Sequence, residues 1–158
     1  MDAPLSALAA QLQQESAYNP EAVSWVGARG LAQMMPATAA GLARQYPELA
    51  PVREFDPRWA LLAQSTLMRD LYRSSFPAAS NCQAYAFATA SYNQGPGWTK
   101  RQRAVAIDSA RYFESAELIN PGKSPANYRE TYRYVRRILL TLEPLYVEAG
   151  FGPGACTR

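Results

Sequence analysis

Residues 5–38 read LSALAAQLQQESAYNPEAVSWVGARGLAQMMPAT, and the rest of the chain is interpreted outward from this stretch. Its first part predicts an amphipathic helix, because Leu5, Leu8 and Leu12 recur at steps of three and four residues and so share one face. Glu15 follows Leu12 by three residues and falls on the same face. A carboxylate there must be paired, hydrogen-bonded or kept protonated by poor solvation. Glu15 is therefore a candidate functional acid, although a lone glutamate at a helix end is most often solvated surface.

The second part of the stretch predicts a loop that passes close beside Glu15. Gly27 and Gly30 make this segment dense in glycine, which lets the backbone turn tightly. Pro36 suits the first turn of a new helix. We therefore expect one helix to deliver an acid at its C-terminal end, next to a glycine-rich loop.

Length and composition favour one soluble domain. A chain of 158 residues is long enough for a proper core, and we expect a single domain over residues 1–158 that acts as a monomer. No apolar run approaches a membrane span, and no signal peptide is visible at the start. The net charge of +3 is mild and the arginines are scattered. We therefore expect no membrane insertion and no nucleic-acid partner, while an anionic polymer suits a modest positive field.

The chain has no histidine, which limits its chemistry. Ser-His and Cys-His nucleophile pairs are excluded, and the commonest zinc ligand is missing. We expect neither a metal nor a cofactor. Cys82 and Cys156 are either joined by a disulfide, if the protein works outside a reducing cytoplasm, or two free buried thiols.

Helical periodicity and cap residues predict an all-α fold, since no segment alternates cleanly as a strand does. Asp56 followed by Pro57 is a strong helix start, and Ser124 followed by Pro125 is another. Pro144 should kink or end the last helix. The predicted helices cover residues 5–15, 37–45, 57–75, 82–92, 98–115 and 125–143, followed by a tail over residues 151–158 that is pinned only if Cys156 is bonded.

Three motifs then occur in order along the chain. They are ES at residues 15–16 with Ser24 and GLAQMMPAT at residues 30–38, SYNQG at residues 91–95, and ETYRYV at residues 130–135. In this order and spacing they resemble the lytic transglycosylases of the soluble (SLT) type, which are lysozyme-like enzymes that cleave the glycan strand of bacterial peptidoglycan. The resemblance covers about residues 5–140.

The resemblance implies a lysozyme-like fold with helices around a central cleft and Glu15 as the catalytic residue. Ala32 departs from the family pattern, which usually has Met there. Taken alone, Gly95 is explained as a helix cap, and Glu130 with Tyr134 as a surface pair on one helix face. The substrate-binding residues that the resemblance implies are Ser24, Gln33, Met35, Tyr92, Asn93, Gln94, Glu130 and Tyr134.

The activity that the resemblance implies is cleavage of the β-1,4 bond between N-acetylmuramic acid and N-acetylglucosamine, with formation of a 1,6-anhydro ring. Glu15 would donate a proton and then take one from the 6-hydroxyl of the muramic acid. A goose-type lysozyme shares the fold but uses water with a second acid, for which Glu21, Asp56 and Glu130 are candidates. A catalytically inactive glycan-binding or virion module is the alternative from another class.

Three features of the C-terminal half resemble a phage branch of the same family, namely Cys82, PGKS at residues 121–124 and the segment at residues 138–156. Proteins of this branch are endolysins or virion-associated enzymes that degrade the cell wall. The implied partner is the peptidoglycan glycan strand. We therefore expect a protein made in the host cytoplasm and released by a holin, or carried on a virion.

Overall fold

The computed structural model describes residues 4–156, and within them the chain is helical, with two isolated β-bridges in the loop at residues 17–35. This confirms the predicted all-α fold. Residues 1–3 and 157–158 of the predicted domain lie outside the described part, and the last two of these also belong to the predicted tail. The α-helices are α1 (Leu5–Ser16), α2 (Pro36–Gln45), α3 (Pro57–Ser74), α4 (Asn81–Gln94), α5 (Pro96–Ala104), α6 (Pro125–Arg136) and α7 (Glu143–Glu148).

The helix starts predicted at Asp56 and Ser124 are confirmed, because each side chain accepts a hydrogen bond from the first free N–H groups of its helix. The Asp56 carboxylate accepts from the N–H groups of Arg58 and Trp59, at 2.8 and 3.3 Å. Ser80 accepts in the same way at the start of α4, and Ser124 at the start of α6. These boundaries are encoded by a few neighbouring residues.

Helix α4 lies at the centre of the fold, where it packs against α3, α5 and α6. Its alanines are fully buried and allow close approach, while Phe87 fills the interior beside Tyr112. Helix α1 packs against α7 and the segment that precedes it. The main core takes buried residues from both α1 and α6, and a smaller core lies between α2 and α3.

The apolar stripe predicted for α1 is only partly right. Leu12 is buried, but Leu5 is 65% exposed, and the buried face is made largely of small residues such as Ala7 and Ala10. Alanine lets α1 approach its neighbours more closely than leucine would. Leu62 on α3 is likewise exposed.

The helix predicted over residues 98–115 is wrong beyond Ala104, where α5 ends. The backbone that follows forms short turns and is also held by side chains of other elements. Gln83 on α4 accepts from the N–H groups of Tyr112 and Phe113, at 2.7 and 2.9 Å. Arg103 donates to the carbonyl of Ser109 at 2.6 Å. These distant partners replace the helical ladder, and local periodicity gives no sign of them.

Pro144 does not end the last helix, contrary to one of the two predicted outcomes. A π-helical segment, Arg137–Leu142, follows α6 and leads directly into α7. Proline lacks an N–H and crowds the carbonyl four residues earlier, and the wider π turn keeps the chain helical up to this point. The segment is buried through Ile138, Leu139 and Leu142.

A disulfide joins Cys82 at the start of α4 to Cys156, with Cα atoms 4.4 Å apart. The buried carboxylate of Glu143 accepts from the backbone N–H groups of Ala155 and Cys156, at 2.6 and 3.3 Å. Burial raises the pKa of Glu143, and these hydrogen bonds oppose the rise. Residues 155 and 156 are thus fixed to the core through α4 and α7.

Candidate active site

Glu15 lies one residue before the end of α1, where the chain turns sharply. Ala17 and Tyr18 both adopt left-handed backbone angles, with φ of 50° and 63°. Leu12 packs with Leu31, Ala32 and Ala60 in a small buried cluster that brings the loop onto the end of α1. The Ser16 hydroxyl donates to the carbonyl of Leu31 at 2.8 Å. The loop therefore lies beside Glu15, as predicted.

Gly30 is required for this close approach. It has φ of +72°, and a Cβ atom there would lie 1.9 Å from the backbone oxygen of Glu54. Any other residue would have to displace one of the two backbone segments. The glycine that opens the GLAQMMPAT motif thus fixes the path of the loop past the acid.

A buried chain of hydrogen bonds reaches Glu15 from three helices. The Tyr134 hydroxyl on α6 donates to Oε1 of Glu15, and the Gln11 amide on α1 donates to the Tyr134 oxygen at 3.2 Å. The Gln64 amide on α3 donates to Oε1 of Gln11 at 3.0 Å. Because Tyr134 accepts from Gln11, its single proton is directed at Glu15. Neither Gln11 nor Gln64 was predicted from the sequence, because no local pattern distinguishes either of them from a surface glutamine.

Burial raises the pKa of Glu15 from 4.5 to about 7. Tyr134 opposes the rise by donating to the carboxylate, whereas the negative charge of Glu130 adds to it. Burial also raises the pKa of Tyr134, so its hydroxyl keeps its proton. At neutral pH Glu15 therefore exists in both protonation states, which is what a group that gives and takes a proton needs.

Glu15 lines two cavities that meet at its side chain. The first, with a volume of about 350 Å³, is here called the loop-side cavity. Its lining residues are Glu15, Ser24, Trp25, Val26, Ala28, Gln33, Met34, Met35, Thr38, Leu67, Tyr92, Asn93 and Glu130. It thus brings together Glu15 and six of the eight predicted binding residues.

The second cavity, of about 560 Å³, is here called the helix-side cavity, because α6 and the first residue after it supply most of its wall. Glu15, Asn93 and Glu130 line both cavities, which therefore form one continuous cleft. Tyr134, the seventh predicted residue, lines only the helix side. The full lining is Gln14, Glu15, Asn93, Ala126, Arg129, Glu130, Arg133, Tyr134 and Arg137.

Several predicted binding residues also hold the loop itself. The Gln33 amide donates to the carbonyls of Ala22 and Gly30, at 3.1 and 2.9 Å. The Ser24 hydroxyl accepts from the N–H of Ala28 at 3.0 Å. Their polar groups are thus partly engaged in shaping the cavity wall, and Tyr92 is tied to the same loop through the carbonyl of Ala32.

Asn93 is oriented by a neighbouring network. The Thr131 hydroxyl donates to Oδ1 of Asn93 at 2.7 Å and accepts from the Lys123 ammonium at 3.0 Å. The Asn93 amide nitrogen is thereby turned toward Glu130, 3.5 Å from its Oε1. Gln94, the eighth predicted residue, lines neither cavity. Its side chain contacts Thr99, Gln102 and Lys123, so it supports the site from behind.

Trp25 is a cleft residue that was not predicted from the sequence. Its side chain is 97% exposed and lines the loop-side cavity. The turn that carries it is closed by hydrogen bonds from the N–H of Ser24 to Ala28 and from the N–H of Gly27 to Ser24, both of 2.9 Å. A large aromatic side chain in a glycine-rich loop was the available signal.

In residues 4–156 no group of three acidic or cysteine side chains is arranged to hold a metal ion. The same part of the chain contains no helix with the length and apolar character needed to cross a membrane.

Comparison with known proteins identifies related sequences. The Transglycosylase SLT domain matches residues 2–112. The membrane-bound lytic murein transglycosylase F of Maricaulis maris is 30% identical over 131 residues, which cover 80% of this chain and 27% of that protein. The soluble lytic murein transglycosylase of Escherichia coli is 30% identical over 142 residues, which cover 86% of this chain and 20% of that protein.

Solved structures show the same fold. An inactive Glu-to-Gln mutant of lytic transglycosylase Slt from Pseudomonas aeruginosa superposes with a TM-score of 0.72 at 24% identity, over 97% of this chain and 23% of that one. The 70-kDa soluble lytic transglycosylase in complex with bulgecin A gives a TM-score of 0.68 at 23% identity, over 97% of this chain and 23% of that one. The chain thus spans about a quarter or less of the length of these proteins. It belongs to the Transglycosylase SLT domain family.

Proposed function

We propose that this chain is a peptidoglycan lytic transglycosylase, which cleaves the β-1,4 bond between N-acetylmuramic acid and N-acetylglucosamine and closes a 1,6-anhydro ring. The observation that carries the proposal is the place of Glu15, half-buried at the junction of two cavities with its pKa raised to about 7. Membership of the SLT family supports the same reaction.

Glu15 would act twice, first as acid and then as base. Its proton goes to the bridging oxygen as the bond from that oxygen to C1 of the muramic acid breaks. The resulting carboxylate takes the proton of the 6-hydroxyl of the same sugar while that oxygen bonds to C1. Glu15 ends protonated, no water is consumed, and the enzyme is ready for the next cycle.

The groups around Glu15 suit both halves of this cycle. The directed Tyr134 hydroxyl would stabilise the carboxylate that exists between the two proton transfers. The Asn93 amide faces the cleft as a donor for an N-acetyl or hydroxyl oxygen. Ser24, Gln33, Met35 and Tyr92 form the wall against which the sugar would be positioned.

Hydrolysis, as in goose-type lysozymes, is the second candidate, and one observation favours it. Glu130 lines both cavities with Glu15 and carries a second carboxylate into the cleft. The other two candidate acids line neither cavity: Asp56 caps α3, and Glu21 is exposed beside the loop. If water is activated, Glu130 is therefore the residue to do it.

The products distinguish these possibilities. Purified peptidoglycan is digested with the protein, and the released fragments are analysed by mass spectrometry before and after borohydride reduction. Anhydro ends lack one water and resist reduction, which is the expected result. Reducible, fully hydrated ends that disappear in a Glu130→Gln variant would establish the hydrolase instead. Absence of any product from walls that bind the protein would indicate an inactive glycan-binding module.

We also propose that the protein acts on the cell wall as a phage endolysin or virion-associated enzyme, as a monomer and without nucleic acid. The support is the resemblance of Cys82, residues 121–124 and residues 138–156 to phage members of the family. Bacteria that make this chain in the cytoplasm should lyse only after the membrane is permeabilised with chloroform. Lysis without permeabilisation would contradict release through a holin.

A further inference from the structure

Three arginines form a row along one wall of the helix-side cavity. Arg129, Arg133 and Arg137 lie four residues apart and are exposed, and all three line this cavity with Glu15. Side chains spaced by four lie on one helix face, with consecutive members separated by about 6 Å along the axis. In the linear sequence the arginines were scattered, and α6 collects these three beside the candidate acid.

The row has no anionic partner in the part of the chain that the structure describes. Across residues 4–156, none of the three arginines forms an ion pair or donates a side-chain hydrogen bond. Arg136, which points another way from the same helix, is paired with Glu117 at 3.0 Å. The three guanidinium groups of the row are therefore available to an external ligand.

The shape of the row favours a ligand with several carboxylates. Guanidinium groups bind carboxylates through two parallel hydrogen bonds. In an extended peptide, groups two residues apart on one side are separated by about 7 Å, close to the spacing of the row. A neutral sugar offers no such charges, whereas the short peptide stems attached to muramic acid carry several free carboxylates.

We propose that Arg129, Arg133 and Arg137 bind the carboxylates of the peptide stem of peptidoglycan, so that the protein prefers peptide-bearing strands over bare glycan. This inference rests on the proposed function, because the row shares its cavity with Glu15. A sugar held at Glu15 would place its own stem along α6. The row would then increase affinity and fix the position of the strand along the cleft, without contacting the bond that is cleaved.

The test measures binding to three immobilised ligands. They are untreated walls, walls whose carboxylates are capped with methylamine by carbodiimide coupling, and glycan strands stripped of their stems by an amidase. All proteins carry Glu15→Gln so that the ligand is not consumed. The row variant is Arg129→Gln/Arg133→Gln/Arg137→Gln. The control removes the same charge from exposed arginines that line neither cavity, as Arg44→Gln/Arg53→Gln/Arg58→Gln.

We expect the parent protein and the control to bind untreated walls about tenfold more tightly than capped walls, and the row variant to lose this preference. Stripped strands, which keep only the lactyl carboxylate, should bind all three proteins alike. The proposal is overturned if the row variant keeps the preference, or if the control loses it too. It is also overturned if the row variant is equally impaired on stripped strands, which would assign the row to the glycan.

A cleavage assay of the unmutated protein on untreated walls runs in parallel, so that the two proposals fail separately. If the unmutated protein cleaves walls but the row variant keeps the binding preference, only the inference about the arginine row fails. If the row variant loses the binding preference but the unmutated protein does not cleave walls, the proposed reaction is wrong and the protein only binds peptide stems. Circular dichroism melting of each variant checks the fold, which should be unchanged because the substituted side chains are exposed.

Discussion

The two cavities that meet at Glu15 are built differently. Apart from Glu15 and Glu130, which line both cavities, the loop-side wall is uncharged and presents exposed apolar side chains, with Trp25, Val26 and Met35 among them. The helix-side wall is charged and carries the arginine row of α6. Under the proposed function, one side would contact uncharged sugar and the other would contact an anion. The acid lies at the boundary.

The same two sides act on Glu15 in opposite directions. Packing of the loop onto the end of α1 helps to bury the carboxylate, and burial raises its pKa. The helix side supplies Tyr134, whose hydrogen bond lowers that pKa. The balance between them sets the protonation of Glu15 near neutral pH, and changes on either side should move it predictably.

Replacement of Glu15 by Gln should have the largest effect, since both sides of the cleft converge on this carboxyl. We expect wall-clearing activity to fall at least about 1,000-fold, because an amide neither gives nor takes the proton. Turbidity of a wall suspension measures the loss, and circular dichroism should show an intact fold. If the variant clears walls at nearly the rate of the unmutated protein, Glu15 is not the group that transfers the proton.

The pH profile should report the balance between the two sides. With a pKa of about 7, Glu15 loses its proton above neutrality, and activity at low substrate should then fall about tenfold per pH unit. Glu130, Tyr92 and Tyr134 are the titratable groups nearest to it. The rate is measured between pH 5 and 9 at constant ionic strength. A flat profile over that range would mean that burial by the loop does not control the acid.

Tyr134→Phe removes the helix-side contribution alone. Its hydrogen bond favours the Glu15 carboxylate, so its loss should move the alkaline limb of the pH profile to higher pH and reduce the rate about tenfold. Tyr132→Phe is a matched control on the same helix, because no hydrogen bond of its hydroxyl is seen in the structure. A limb that moves to lower pH would contradict the assigned role of Tyr134.

Trp25→Ala tests the loop side. Loss of a stacking surface for a sugar ring should cost about 1 kcal/mol, which raises KM about fivefold with little change in kcat. Ile107→Ala is the control, because Ile107 is equally exposed at 97% but lines neither cavity. Trp25→Tyr should recover most of the loss. If kcat instead falls about fivefold while KM stays unchanged, Trp25 acts in the chemical step.

The double substitution Cys82→Ser/Cys156→Ser should have the smallest effect on either cavity, because neither residue lines the cleft. The bond spans 74 residues, so its loss should lower the free energy of unfolding by about 4 kcal/mol in the chain-entropy account. Urea unfolding measures the free energy of unfolding. The unmutated protein treated with a reductant should be destabilised by about the same amount as the double variant. Activity well below the melting temperature should stay within about twofold. A larger loss would link this end of the molecule to the cleft.

The sequence by itself determined the features that depend on near neighbours. Asp56 and Ser124 begin helices because each accepts from N–H groups two or three residues away. The order of the motifs identified the family and pointed to Glu15. Such signals are readable because caps, turns and helical periods act over a few residues.

Only the tertiary structure decided which distant groups meet. Tyr134 reaches Glu15 across 119 positions of sequence, and its proton is directed there by Gln11, which no local pattern distinguishes from a surface glutamine. Beyond the end of α5 at Ala104 the chain is held in part by Gln83 on α4. The arginine row becomes part of the cleft because α1 and α6 share the main core and are joined by the hydrogen bond from Gln11 to Tyr134. These arrangements follow from the packing of helices around α4, which brings together groups that are far apart in the sequence.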